Sequence, residues 1–169
     1  MASDASTDAP SASGPTGRHV MIATDGSEAS VHAAQVASEL FAGADFLIVT
    51  VIDEQEDPMA DAGGFEGPAM DEKEAEQIHR ADVVDAQGAL AATAHVFDGT
   101  PVHERILEQR GEGRGAKLCA VAAEEGIDVL VVGSHGHGVL ADALLGSVSN
   151  HVVHHSERPV LVVRSPKKK

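Results

Sequence analysis

The chain has 169 residues but one cysteine, four phenylalanines, and neither tryptophan nor tyrosine. A lone cysteine, Cys119, excludes an internal disulfide and any cysteine-based metal cluster. It falls on the apolar side of an expected helix, which makes it a core residue rather than a nucleophile. Without aromatic bulk the core must come from Val, Leu, Ile and Ala, and a hydrophobic content of 43% supplies enough for one globular domain. Basic residues are also scarce, and the formal net charge is −15. That balance argues against nucleic acid or an anionic membrane surface as partner. It leaves open two origins for the acidity, ordinary solubility and adaptation to high salt. No apolar run approaches the ~20 residues that cross a bilayer. The N-terminus carries no cationic-plus-apolar signal pattern, so the cytoplasm is the expected location.

What is present alternates. Met1 to Gly17 is Ser, Ala, Asp, Pro and Gly, the composition of a disordered tail. His19 to Ala23 reads as a buried strand stopped by Thr24-Asp25-Gly26-Ser27. Ser27 is then a candidate N-cap for a helix over Glu28 to Leu40, with Val31, Ala34, Val36 and Leu40 facing inward. Phe46 to Ile52 is the clearest strand, followed by an acidic loop from Asp53 to Met70. A helix is expected from Asp71 to about Ala94, with Ala75, Ile78, Val83 and Leu90 inward. Val102 to Gln109 has the mixed polarity of a strand near a sheet edge. A helix over Ala116 to Glu125, the strand Val129 to Val132 and a last strand, Val160 to Arg164, complete the pattern. The end, Ser165 to Lys169, is a short basic tail.

The densest stretch is Val129 to Asn150. Its β-branched run ends at Gly133, Gly136 and Gly138 follow, and Leu140, Leu144, Val148 and Val152 recur every fourth residue as one helical face. Strand, glycine turn and helix in that order make an anion cradle, because glycine lets the backbone approach a ligand and a helix start offers unpaired amides. Such a cradle uses main-chain nitrogens, so it can work inside an acidic protein.

Strands alternating with helices predict an α/β fold: a single doubly wound, parallel, five-stranded sheet covered by helices on both faces. Ligands of such sheets bind beyond the carboxyl ends of the strands, at the switch in strand order. Asp25, Val51 and Gly133 all stand at such ends.

Other motifs give way on inspection. GEGRGAKL, Gly111 to Leu118, has Ala116 and Leu118 where a phosphate-binding P-loop needs glycine and a hydroxyl. TDGSEAS after the first strand has one glycine, too few for a dinucleotide fingerprint. Ser134-His135-Gly136-His137 has the spacing of a nucleotidyl-transfer signature, which belongs after a first strand instead. Among the ten histidines, His135 and His137 are close and His151 and His154 lie three apart with His155 adjacent, but only Asp142 and Glu157 could join them, so solvated or structural roles are expected. Ser134 or Ser147 with a neighbouring histidine and Asp142 could form a triad, yet no G-x-S-x-G elbow exists in the chain.

The pattern G-x2-G-x9-G-S, formed by Gly133, Gly136, Gly146 and Ser147, together with ATDGSEAS at Ala23 to Ser30, resembles the universal stress protein family. The resemblance covers about Arg18 to Arg164 as one domain. It implies the ATP-binding branch of that family, with Asp25 and Val51 at the adenine–ribose end. Gly133, Gly136, Gly146, Ser147, Val148 and Ser149 would then line the triphosphate, with Mg²⁺ accompanying the phosphates. Relatives often carry arginine after the second glycine, where this chain has His137. The implied role is a nucleotide-dependent stress-response module with slow hydrolysis at most. An ATP-utilising hydrolase or nucleotidyl-transfer enzyme of related fold is the alternative, and a structural protein with a vestigial loop a third. The resemblance also implies a homodimer that pairs Val160 to Val163 across a two-fold axis.

Overall fold

The computed structural model describes residues 17–54, 72–136 and 145–165. Most of the N-terminal tail, nearly all of the acidic loop, His137, Asp142 and the terminal lysines lie outside them. The elements run β1 His19–Ala23, α1 Glu28–Leu40, β2 Asp45–Asp53, α2 Glu72–Ala94, a 3₁₀ turn His95–Phe97, β3 Val102–Gln109, α3 Arg114–Glu124, β4 Val129–Gly133, α4 Ser147–His155 and β5 Val160–Val163. The strands form one parallel sheet in the order β3-β2-β1-β4-β5. This is the doubly wound arrangement that the alternation predicts. β3, mixed in polarity, is indeed an edge.

Side chains alternate across the sheet and build two cores. Val20 and Ile22 of β1 join Phe46 and Ile48 of β2 against α1 and α2. Met21, Val49 and Leu130 point the other way, against Leu118 and Val121 of α3 and Val152 of α4. Each fully buried aliphatic side chain contributes about 1.5–3 kcal/mol. Ion pairs such as Arg80–Glu76, whose side chains are mostly exposed, contribute under about 1 kcal/mol each. The layered aliphatic core therefore holds the fold. Among the described residues no helix is long and apolar enough to cross a membrane.

Helix faces depart from the expected ones in an instructive way. Ser27 does cap α1, its side chain accepting from the Ser30 amide. The buried face of α1, however, is Ser30, Ala33, Ala34 and Ala37, while Leu40 is 61% exposed and Val31 and Val36 are half-buried. On α2 the buried positions are Ala86, Ala89, Leu90 and Thr93, and Ile78 is exposed. Small residues face the sheet because α1 lies close to it. A methyl group on Gly133 would come within 3.0 Å of the Ala29 carbonyl carbon and oxygen.

The expected single helical face from Leu140 to Val152 is also corrected. Gly146 has φ −67° and ψ 162°, an extended conformation, and acts as N-cap of a helix that begins at Ser147. Val148 and Val152 share that helix; Leu140 and Leu144 lie outside the described residues. α3 starts at Arg114, two residues before the expected Ala116, on the left-handed Gly113.

Candidate functional site

A cavity of about 640 Å³ opens where β1, β2 and β4 end, at the switch between β1 and β4. All eight residues singled out from the sequence line it: Asp25, Val51, Gly133, Gly136, Gly146, Ser147, Val148 and Ser149. Three separate segments of the chain meet there.

The β2 wall offers main-chain groups. β1 stays in register with β2 only as far as Ala23 opposite Val49, whose carbonyl accepts from the Thr24 amide at 2.8 Å. β2 continues to Asp53, paired there among the described residues with β3 alone. Backbone groups alternate direction along a strand. Val51 therefore turns its N–H and C=O the same way as Val49, toward the space that β1 has vacated. One donor and one acceptor project into the cavity.

Opposite stands the start of α4. The Gly146 amide donates to Ser134 O at 2.8 Å, and the Asn150 amide closes the first helical turn on Gly146 O. A glycine N-cap has no side chain to offer the amides of Ser147, Val148 and Ser149. The helix dipole adds partial positive charge at this point. Ser149 is buried, and its hydroxyl donates to Gly133 O at 2.6 Å, tying α4 to the end of β4. Ser147 is exposed at the rim.

The glycines differ in what they do. Gly133 is needed by the approach of α1, as its contact with Ala29 requires. A methyl on Gly136 would run into Asp25 Oδ2. On Gly146 it would meet only ordinary contacts at 3.6 Å, to His135 Cα and Ser134 O. The Asp25 carboxylate thus lies directly over Gly136, while its Oδ1 accepts from the Ser27 amide at 3.0 Å.

Several lining residues escaped the sequence reading. Asp82 and Asp85 of α2, Thr50 of β2 and Arg114 of α3 also face the cavity, as does His135, which the sequence placed only in the Ser134–His137 motif. The two aspartates stand three apart, on one helical face, which was the available signal. Arg114 pairs with Asp53 at 2.8 Å, and Gln109 donates to the same carboxylate while accepting from the Gly113 amide. The Arg114 hydrogen bond, then that of Gln109, holds the Asp53 carboxyl below the usual aspartate range. Ser134 Oγ lies 2.8 Å from His135 Nδ1.

The α4 histidines pack together. The His151 and His155 rings stack with centroids 4.2 Å apart, and His151 covers Gly115 so closely that a methyl there would sit 2.7 Å from its Cβ. Among the described residues no three His, Cys, Asp or Glu side chains are placed to hold a metal ion. Burial raises the Cys119 thiol pKa, in keeping with its packing against the α3–α4 core.

Comparison with known proteins places this geometry. Residues 17–164 match the model of the Universal stress protein family. A universal stress protein of Thermus aquaticus is 35% identical over 148 residues, covering 86% of this chain and 97% of that one. Universal stress protein MJ0577 of Methanocaldococcus jannaschii is 44% identical over a shorter stretch of 48 residues, 28% of this chain and 30% of the relative. The chain thus aligns with less than a third of that relative's sequence length. The solved structure of MJ0577 superposes far more broadly, with a TM-score of 0.68 and 25% identity over 89% of this chain and 98% of that one. A universal stress protein solved in complex with cAMP superposes with a TM-score of 0.51 and 28% identity, covering 87% of this chain and 96% of that one.

Proposed function

The chain belongs to the universal stress protein family, and from that premise we propose that its crevice binds ATP. One observation carries this most: the Val51 main chain and the uncapped start of α4 face one cavity from opposite sides. An adenine edge presents a donor beside an acceptor, the complement of what Val51 offers. A polyphosphate suits the amides of Ser147, Val148 and Ser149 with the helix dipole behind them. Asp25, over Gly136, stands at the adenosine end. That a related protein was solved with cAMP supports an adenine nucleotide as the ligand class.

Mg²⁺ fits as a companion of the phosphates, held mainly by their oxygens and water, since the described side chains offer no cluster for it. The bound nucleotide acts as a signal in a stress-response module, with slow hydrolysis at most. Isothermal titration with ATP and Mg²⁺ tests binding. The methyl of Gly146→Ala fits the free protein, so a tenfold loss of ATP affinity with an unchanged melting temperature is expected from it. A wild type that retains no ATP would sink the proposal, and several turnovers per second would favour the enzyme alternative.

The same family context supports a homodimer through β5. Among the described residues this strand pairs with β4 alone, and Val160, Leu161 and Val162 are half-buried at the sheet edge. Sedimentation should give the dimer mass; a monomer at working salt would count against it.

A further inference from the structure

We propose that Thr93, a residue of α2 that does not line the cavity, is a positioning residue for Asp25 and so for the nucleotide site. The inference rests on the ATP-binding reading. Thr93 is 0% exposed and its Oγ1 lies 2.7 Å from Thr24 Oγ1, across 69 residues of sequence.

Thr93 does not need that contact. Its hydroxyl also reaches the Ala89 carbonyl at 2.8 Å, one turn back along α2, which by itself satisfies a buried donor. Valine has the same shape, and nothing about packing demands a hydroxyl here. What the hydroxyl adds is the bond to Thr24.

Thr24 in turn organises the turn that carries Asp25. Its Oγ1 accepts from the Gly26 amide at 3.1 Å and donates to Ser30 Oγ at 3.0 Å, and Ser30 donates to Ser27 O at 3.0 Å. Each hydroxyl has one proton to give. When Thr93 gives its proton to Thr24 instead of to the Ala89 carbonyl, the chain Thr93 to Thr24 to Ser30 to the Ser27 carbonyl uses each proton once; when Thr93 donates to Ala89, Thr24 donates to Thr93, and the two hydroxyls stay bonded either way. Both threonines and Ser30 are buried, so the bonds work in a low dielectric and the orientation is fixed. α2 makes a second contact with the same turn, since a methyl at Gly26 would meet Ala89 at 3.0 Å. Asp25 sits between these anchors, with one oxygen on the Ser27 amide and the other against Gly136. Through Thr93, therefore, the set of α2 governs where the Asp25 carboxylate lies.

The test uses the full chain and three measurements: ATP affinity by titration calorimetry, melting temperature, and the amide NMR signals of Gly26, Ser27 and Gly136 without nucleotide. Thr93→Val should weaken ATP binding about fivefold, the effect of one lost buried hydrogen bond, and shift those three signals. Thr93→Ser, which keeps the hydroxyl and loses the methyl, should stay within twofold of wild type and leave the signals in place. If Thr93→Val does not fold, Thr93→Ala takes its place against Thr93→Ser with the same expectation. Equal ATP affinity in wild type and Thr93→Val overturns this inference alone. Equal losses in Val and Ser variants also overturn it, because packing and not the hydroxyl would then be at work. A wild type that binds no ATP overturns it together with the reading beneath it.

Discussion

Gly133 and Ala29 touch so closely that a β-carbon on the glycine would lie 3.0 Å from the Ala29 carbonyl carbon and oxygen. Backbone cannot swing aside as a side-chain tip can. Gly133→Ala should therefore lower stability by about 1–3 kcal/mol through overpacking, whereas Gly146→Ala should change it little. Thermal melts of the two variants, without nucleotide, make the comparison. Equal melting temperatures would show that α1 yields more easily than its geometry implies.

Ser149→Ala removes the hydroxyl that donates to the Gly133 carbonyl at 2.6 Å in a buried setting. A loss of about 1–2 kcal/mol is expected, read as a lower urea midpoint with an unchanged slope. An unchanged midpoint would mean that the carbonyl is satisfied without Ser149.

Gly115→Ala would place a methyl 2.7 Å from His151 Cβ, at the crossing of α3 and α4. Cβ and the backbone that carries it must then shift, at a cost of about 1–3 kcal/mol. His151→Gly in the same protein should recover part of the loss. No recovery in the double variant would locate the strain elsewhere.

Asp53 contributes through a carboxyl pKa lowered by Arg114 and then Gln109. A group depressed in the folded state stabilises fully above its free value, 3.8, and ceases to do so as pH falls through the lower folded value. Wild type should thus exceed Arg114→Met in stability at neutral pH, with the gap closing as pH drops below 3.8. Both partners are about half exposed, so the gap is under about 1 kcal/mol and shrinks with added salt. A gap that persists in acid would assign it to packing of the arginine stem.

At a net charge of −15, self-repulsion opposes the compact state. If the acidity is an adaptation to high salt, stability should climb from low to molar KCl. A flat profile in denaturant titrations would leave ordinary solubility as its origin.

Much of the architecture was legible because strands announce themselves. β3 and α1 coincide with the ranges read from alternation and from the Ser27 cap. The inward faces of α1 and α2 were harder to see, since apolar periodicity favours large residues such as Leu40 and Ile78. Here the demand was for small ones, because α1 lies against Gly133 and α2 against Gly26. The four-residue spacing from Leu140 to Val152 hid the break at Gly146, whose extended backbone is compatible with any reading of side-chain hydrophobicity. Of the cavity, the motif glycines and strand ends were readable. Arg114 was not, and the spacing of Asp82 and Asp85 was only a hint, since the crossing of α2 and α3 over the sheet is what brings them to one opening.

β2 outlasts β1 by a few residues, and that offset has a corollary. Main-chain groups that every residue except proline carries form the wall at Val51, so surface substitutions can recolour the protein's exterior without erasing what that wall offers. A strongly acidic surface and a main-chain ligand wall can then coexist in one chain.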